Sequence, residues 1–332
     1  MSFLVVFQKI IQLFLILLVG FAANKMRFFD RDLREKVTAL ILNITLPGVI
    51  LSTVWNEPDL PSARQFLLYF ALAALFYLFA YVFGLAASKL IPFPYSIKGL
   101  VRFVLMFGTV GFMGYPVVQS IFGQKGVFYT TMVNLPHNIL ITAFGAAFLL
   151  QDRKAMREHG DPAVDGVALP EEISGKAFAK EDVKKLLLSP VILSSLAAFF
   201  FALTRIPVPA PVSGAADTIG QITTPAAMLI IGSSLAETRF RELFSDKWVY
   251  VILALRMAVM PILVFLIFRR LSDDPLFVSV LTVLSGMPVA RMGQMMAVKY
   301  RVNEGLMARS ISLSVLLCGI TIPLIATGFA VS

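Results

Sequence analysis

The chain has 332 residues, of which 58% are hydrophobic and only 15% charged, where a soluble domain carries about a quarter. With a mean hydropathy of +0.82, this composition lacks the polar surface that a water-soluble fold needs. The net charge of +9 does not mark a nucleic-acid binder, because Lys and Arg sit mainly in short loops between apolar runs and form no continuous basic stripe. Cys318 is the only cysteine, and the two histidines, His137 and His159, lie far apart. No internal disulfide, no metal-ligand cluster and no cofactor are therefore expected.

In chain order, apolar runs near the roughly 20 residues that cross a bilayer as a helix fall at 3–24, 36–55, 64–88, 99–122, 126–150, 186–204, 214–236, 247–268, 275–298 and 305–329. Backbone amides in lipid must bond internally, so these read as helices. The first run lacks a small-residue cleavage site and reads as a retained helix rather than a removable signal. The polar stretch 151–185, with Gly160, Pro162, Gly166, Pro170 and Gly175, reads as a cytosolic linker. Its end, from Glu171 to Leu188, has the pattern of a short amphipathic surface helix. The fold class expected is all-α and integral to the membrane: ten transmembrane helices in two five-helix units, 1–150 and 186–332. With both termini outside, 20 basic residues fall in inside loops and 6 in outside ones, which the positive-inside rule favours.

The two units echo each other. Thr45-Leu46-Pro47 in the second span matches Thr223-Thr224-Pro225 in the seventh, and Gly114-Tyr115-Pro116 in the fourth matches Gly286-Met287-Pro288 in the ninth. Units of five helices enter the membrane in opposite senses, which makes this an inverted repeat of the kind secondary transporters use. The fourth span carries Gly108, Gly111, Gly114 and Pro116 within nine positions. Glycine weakens a helix and proline removes a donor. The ninth span has its own interruption from Ser285 to Arg291. Two breaks in matching positions, if they cross, expose amides and half-helix dipoles deep in the bilayer.

Ionisable groups inside a membrane are costly. The acidic residues lie in loops or near helix ends, whereas Arg256, Arg291 and Arg309 fall inside spans. Deep charge of one sign points to an anionic cargo, and a guanidinium fork suits a carboxylate. Arg291, three residues after Pro288, is the best placed for substrate. Arg256 fits either substrate or a structural role at a helix end, and Arg309 fits snorkelling to lipid phosphates. In the fifth span, Asn134 and Asn138 share a face at i and i+4, with Pro136 and His137 between them. His137 suits a structural donor better than a proton relay, and Gln294 lies one turn beyond Arg291.

These residues resemble the auxin efflux carrier family, which includes plant auxin carriers and bacterial malonate-type permeases. The matching stretches are Leu46-Pro47-Gly48-Val49-Ile50-Leu51, Gly111-Phe112-Met113-Gly114-Tyr115-Pro116, Thr224-Pro225-Ala226-Ala227-Met228-Leu229 with Gly232, and Met287-Pro288-Val289-Ala290 ending in Ala297-Val298-Lys299-Tyr300. The resemblance implies a fold like that of bile-acid symporters and sodium/proton antiporters. It also implies a scaffold domain (spans 1, 2, 6 and 7), a transport domain (spans 3–5 and 8–10) and an elevator movement. It puts the crossover at Gly108-Thr109 and Pro288-Val289. The chain departs from the family where many members have Asn at the position of Thr109, where plant members have Pro at that of Gly108, and where they have a small or apolar residue at that of Arg291. It also lacks the acidic residue proposed in the third span of plant members.

Together these readings predict a bacterial inner-membrane carrier of a small organic anion. The expected substrate contacts are Gly108, Thr109, Gly111, Asn134, His137, Asn138, Pro288, Val289, Ala290, Arg291 and Gln294. Pro47, Gly114, Pro116, Pro225 and Gly286 are the expected helix-breaking positions. The partners expected are the anion, membrane lipids and, as an open option, a second copy of the chain in a homodimer. An anion channel, a membrane sensor and an intramembrane enzyme are the alternatives. The enzyme has no acid dyad, Ser/His or Ser/Lys pair, or HExxH-like motif to support it.

Overall fold

The computed structural model describes residues 3–57, 61–161, 188–237 and 243–329. Among them the secondary structure is helical: α1 (Phe3–Lys25), α2 (Arg31–Asn56), α3 (Ala63–Leu90), α4 (Lys98–Met106), α5 (Val110–Glu158), α6 (Pro190–Thr204), α7 (Ala210–Ala236), α8 (Lys247–Phe268), α9 (Pro275–Ser285), α10 (Met292–Tyr300) and α11 (Glu304–Gly328). Seven of these are long and apolar enough to cross a membrane, and α6 and α9 are shorter apolar helices. The chain is a multi-pass integral membrane protein. The amphipathic helix expected from Glu171 to Leu188 lies almost wholly outside the described residues.

Three prolines shape three helices in the same way. A proline has no N–H and its ring clashes with the carbonyl four residues back. In α2, α5 and α8 the backbone widens into one π-turn just before Pro47, Pro116 and Pro261. The residue before each proline reaches back five positions: Leu46 N–H to the Ile41 carbonyl, Tyr115 to Val110 and Met260 to Leu255. Single π-turns of this kind concentrate at functional sites.

At Gly123 the backbone takes φ 70°, ψ −159°, which divides α5 into a short arm and a long arm. A positive φ favours glycine, which has no Cβ to clash. The long arm continues to Glu158 rather than ending at 150. Its last turns bury Asp152 and Arg153. Asp152 accepts from the Gly99 and Leu100 amides at 2.5 and 2.8 Å, capping the start of α4. Arg153 donates to the Tyr300 carbonyl at 2.7 Å, at the end of α10. One helix end thus anchors both α4 and α10.

Elsewhere the helices pack backbone to backbone. A Cβ on Gly232 would stand 1.8 Å from the Leu17 carbonyl oxygen, and one on Gly20 2.2 Å from that of Leu229, so α1 and α7 cross at a small-residue contact. The motifs around Pro47 and Pro225 also meet, with the Thr223 hydroxyl donating to that of Thr45 at 2.9 Å. Beside them Gly48 and Gly220 let α2 and α7 approach closely.

Candidate functional site

Both expected breaks are present, and they cross. α4 stops at Met106 and α5 begins at Val110; α9 stops at Ser285 and α10 begins at Met292. The extended segments between them pair antiparallel at Gly108 and Val289. The Thr109 amide donates to the Pro288 carbonyl at 2.7 Å and the Ala290 amide to the Phe107 carbonyl at 3.2 Å. The Thr109 hydroxyl donates to the Val289 carbonyl at 2.7 Å, so its proton serves the crossover itself. Ser314 on α11 accepts from the Val289 amide at 3.1 Å. These bonds answer the need of irregular backbone at membrane depth for partners within the protein.

Arg256 holds the two breaks together from beneath. It is 1% exposed and sits in the π-turn of α8. Its Nη1 donates to the Leu105 carbonyl at 2.7 Å, where α4 ends, and its Nε to the Met287 carbonyl at 3.2 Å, just past the end of α9. A cation at two helix C-termini is favourably placed in both dipoles. The guanidinium passes so near Gly108 that a Cβ there would lie 2.0 Å from Nη2, which explains glycine at this position.

The opening turn of α5 is less committed. The amides of Gly111, Phe112 and Met113 have no acceptor among the described residues, as the first N–H groups of a helix lack intrahelical partners. A Cβ on Gly111 would meet nothing within 4 Å, so open space adjoins these donors. Four buried side-chain polar atoms among the described residues have no hydrogen-bond partner, and two are Asn134 Nδ2 and Gln294 Oε1. Asn134 is 1% exposed. It lies on the long arm of α5, one turn from Thr131, whose hydroxyl accepts from Tyr115 of the short arm at 3.1 Å. Asn138 instead donates to the Asn134 carbonyl of its own helix at 3.0 Å.

Arg291, partly buried, stands at the start of α10. No carboxylate of the described residues forms an ion pair with Arg291 or Arg256. The crossover thus carries two guanidinium groups without an acidic counter-charge. His137 is buried, with Nδ1 3.1 Å from the Tyr77 hydroxyl and its ring edge-on to Phe107, so it packs behind the crossover. Arg309 bonds to the Gly305 carbonyl at 3.0 Å and to Ser245 at 2.7 Å, away from the breaks. Among the described residues no group of three or more His, Cys, Asp or Glu could hold a metal.

The family model described as a membrane transport protein, that of the auxin efflux carriers, matches residues 5–326. The chain belongs to this membrane transport protein family. It is also similar to an uncharacterised transporter of Methanocaldococcus jannaschii, with 24% identity over 302 residues covering 90% of each chain. For a membrane transport protein, Arg256 is the residue that sequence reasoning left undecided and geometry resolves as a carbonyl-binding brace. Asp152 and Arg153 were missed, because their partners lie 53 and 147 positions away and no local pattern announces them.

Proposed function

We propose that the protein is a secondary transporter that carries a small organic carboxylate anion by elevator-type alternating access. The observation that carries this reading is the crossover. Two interrupted helices meet at an antiparallel bridge, with a buried arginine beneath them and unspent donors beside open space. The cargo is negative because the fixed charge is positive and has no acid to balance it. The carboxylate binds to the amides opening α5, to Asn134 and to Arg291, with Gln294 as a neutral neighbour.

On this reading the chain crosses the membrane ten times as two inverted five-helix repeats. α4 with the short arm of α5 makes one broken crossing, and α9 with α10 makes the other. Scaffold spans 1, 2, 6 and 7 hold still while spans 3–5 and 8–10 move. The basic loops place both termini outside, and the membrane is a bacterial inner membrane.

The test is counterflow in proteoliposomes with labelled indole-3-acetate and malonate, with and without proton or sodium gradients. A carrier gives saturable counterflow, and Arg291→Ala lowers it at least tenfold without altering thermal unfolding. Non-saturating flux would make the protein a channel, and unchanged counterflow in Arg291→Ala would remove Arg291 from the mechanism.

A further inference from the structure

Away from the crossover, α2 and α6 pack together and end around a cavity of about 190 Å³. Trp55 and Glu57 line it from the end of α2, and Phe201, Arg205 and Pro207 from the end of α6. That volume is many times the roughly 10–15 Å³ that holds a single water, so the cavity has room for a group of several heavy atoms.

The lining is divided by charge. On the α2 side the carbonyls of Val54, Trp55 and Asn56 accept from no backbone amide outside the helix among the described residues, as the last carbonyls of a helix lack intrahelical partners. Glu57 adds a carboxylate at this negative end of the helix dipole. The Trp55 ring stands edge-on to Phe201, with centroids 5.5 Å apart, so aromatic surface adjoins the carboxylate. A carboxylate beside an aromatic ring is an arrangement that attracts an ammonium group. On the α6 side Arg205 brings a guanidinium, which suits a phosphate. The Trp55 N–H is buried without an acceptor, a cost that a ligand oxygen would remove.

Opposite charges on the two sides of one cavity favour a zwitterion: a simple anion would meet Glu57, and a simple cation Arg205. The surface beside the cavity adds a hydrocarbon chain. On α6, Leu193, Leu196, Phe200 and Leu203 are exposed at helical spacing, an apolar stripe that leads up to the lining residues.

We propose that this cavity binds the headgroup of a zwitterionic phospholipid. Its phosphate lies at Arg205, its ammonium at Glu57 and the Trp55 ring, and an acyl chain follows the α6 stripe. The site is separate from the crossover and does not rest on the carrier reading.

Trp55 and Trp248 are the only tryptophans, so in Trp248→Phe the emission of Trp55 reports on the cavity directly. This protein, in detergent and stripped of lipid until no phosphorus is detected, is titrated with dioleoylphosphatidylethanolamine, with dioleoylphosphatidylglycerol and with soluble glycerophosphoethanolamine. The emission shifts saturably with phosphatidylethanolamine, and phosphatidylglycerol needs about tenfold more lipid for half-saturation. Added to this background, Arg205→Gln and Glu57→Gln each raise the phosphatidylethanolamine requirement about tenfold. Glu57→Gln also brings the two lipids within about threefold of each other, because the anionic headgroup no longer meets a carboxylate; damage to the fold would not do this. Equal responses to the two lipids before Glu57 is changed mean ordinary contact with the bilayer and overturn the proposal. No response to either lipid overturns it, as do unchanged requirements in Arg205→Gln and Glu57→Gln. A soluble headgroup that saturates as readily as the lipid overturns the lipid assignment in favour of a free zwitterion.

Discussion

Gly108 and Gly111, three residues apart, are glycines for different reasons, and the difference is measurable. At Gly108 an added methyl would stand 2.0 Å from Arg256 Nη2. That guanidinium cannot retreat without giving up the Leu105 and Met287 carbonyls, and a buried unsatisfied carbonyl costs about 1–3 kcal/mol. Gly108→Ala is therefore expected to unfold at a clearly lower temperature and to lose transport. At Gly111 the methyl enters open space, so Gly111→Ala should unfold like the wild type. Its KM should rise severalfold, since the methyl takes volume next to the amides that open α5. Thermal unfolding in detergent, read beside counterflow, separates the two. Equal stability losses in both variants would mean that the space at Gly111 is not where the anion sits.

At the scale of the helix, the ends matter more than the middles. The apolar runs show where helices lie, and the Gly and Pro residues at 108–116 and 286–288 show where two of them break, because these residue types act on their own backbone. What a broken end bonds to is another matter. Nothing near Arg256 in the sequence points to carbonyls 151 and 31 positions away, and a single arginine in an apolar run has no visible direction. The end of α5 was hidden for a related reason. Six of the eight residues from 151 to 158 are polar or charged, so the hydrophobic signal stops at 150, yet the helix continues with a Lys154–Glu158 pair at i and i+4 and Asp152 turned inward to cap α4. Arg256 offers a test of the brace. Arg256→Met keeps the bulk but leaves two carbonyls open, while relieving the cost of a buried charge, which is itself several kcal/mol. These effects oppose each other, so unfolding should shift by only a few degrees, whereas counterflow falls at least tenfold because the positive charge beneath the crossover is gone. Arg256→Lys keeps the charge without the fork and should recover part of the activity. Full transport in Arg256→Met would reduce the arginine to packing.

For the molecule as a whole, the question is which surfaces slide. Side-chain bonds join the proposed fixed and moving parts: Thr53 on α2 donates to Gln124 at 2.9 Å, and Thr224 on α7 to Gln119 at 3.3 Å. Gln119 and Gln124 flank the Gly123 kink of α5, while Thr53 and Thr224 belong to the helices whose proline motifs meet at Thr45 and Thr223. Single hydrogen bonds between polar side chains contribute about 0.5–1.5 kcal/mol each, weak enough to break and re-form in every cycle. A covalent link in the same place is not. With Cys318 fully buried, a Thr224→Cys, Gln119→Cys pair can be oxidised with little background reaction. The cross-linked protein should stop transporting, recover when reduced, and still bind the acid it can no longer move. If the oxidised pair transports at the wild-type rate, α5 does not travel along α7. The anion would then cross by local gating around a stationary crossover, with the broken helices retained as its binding platform.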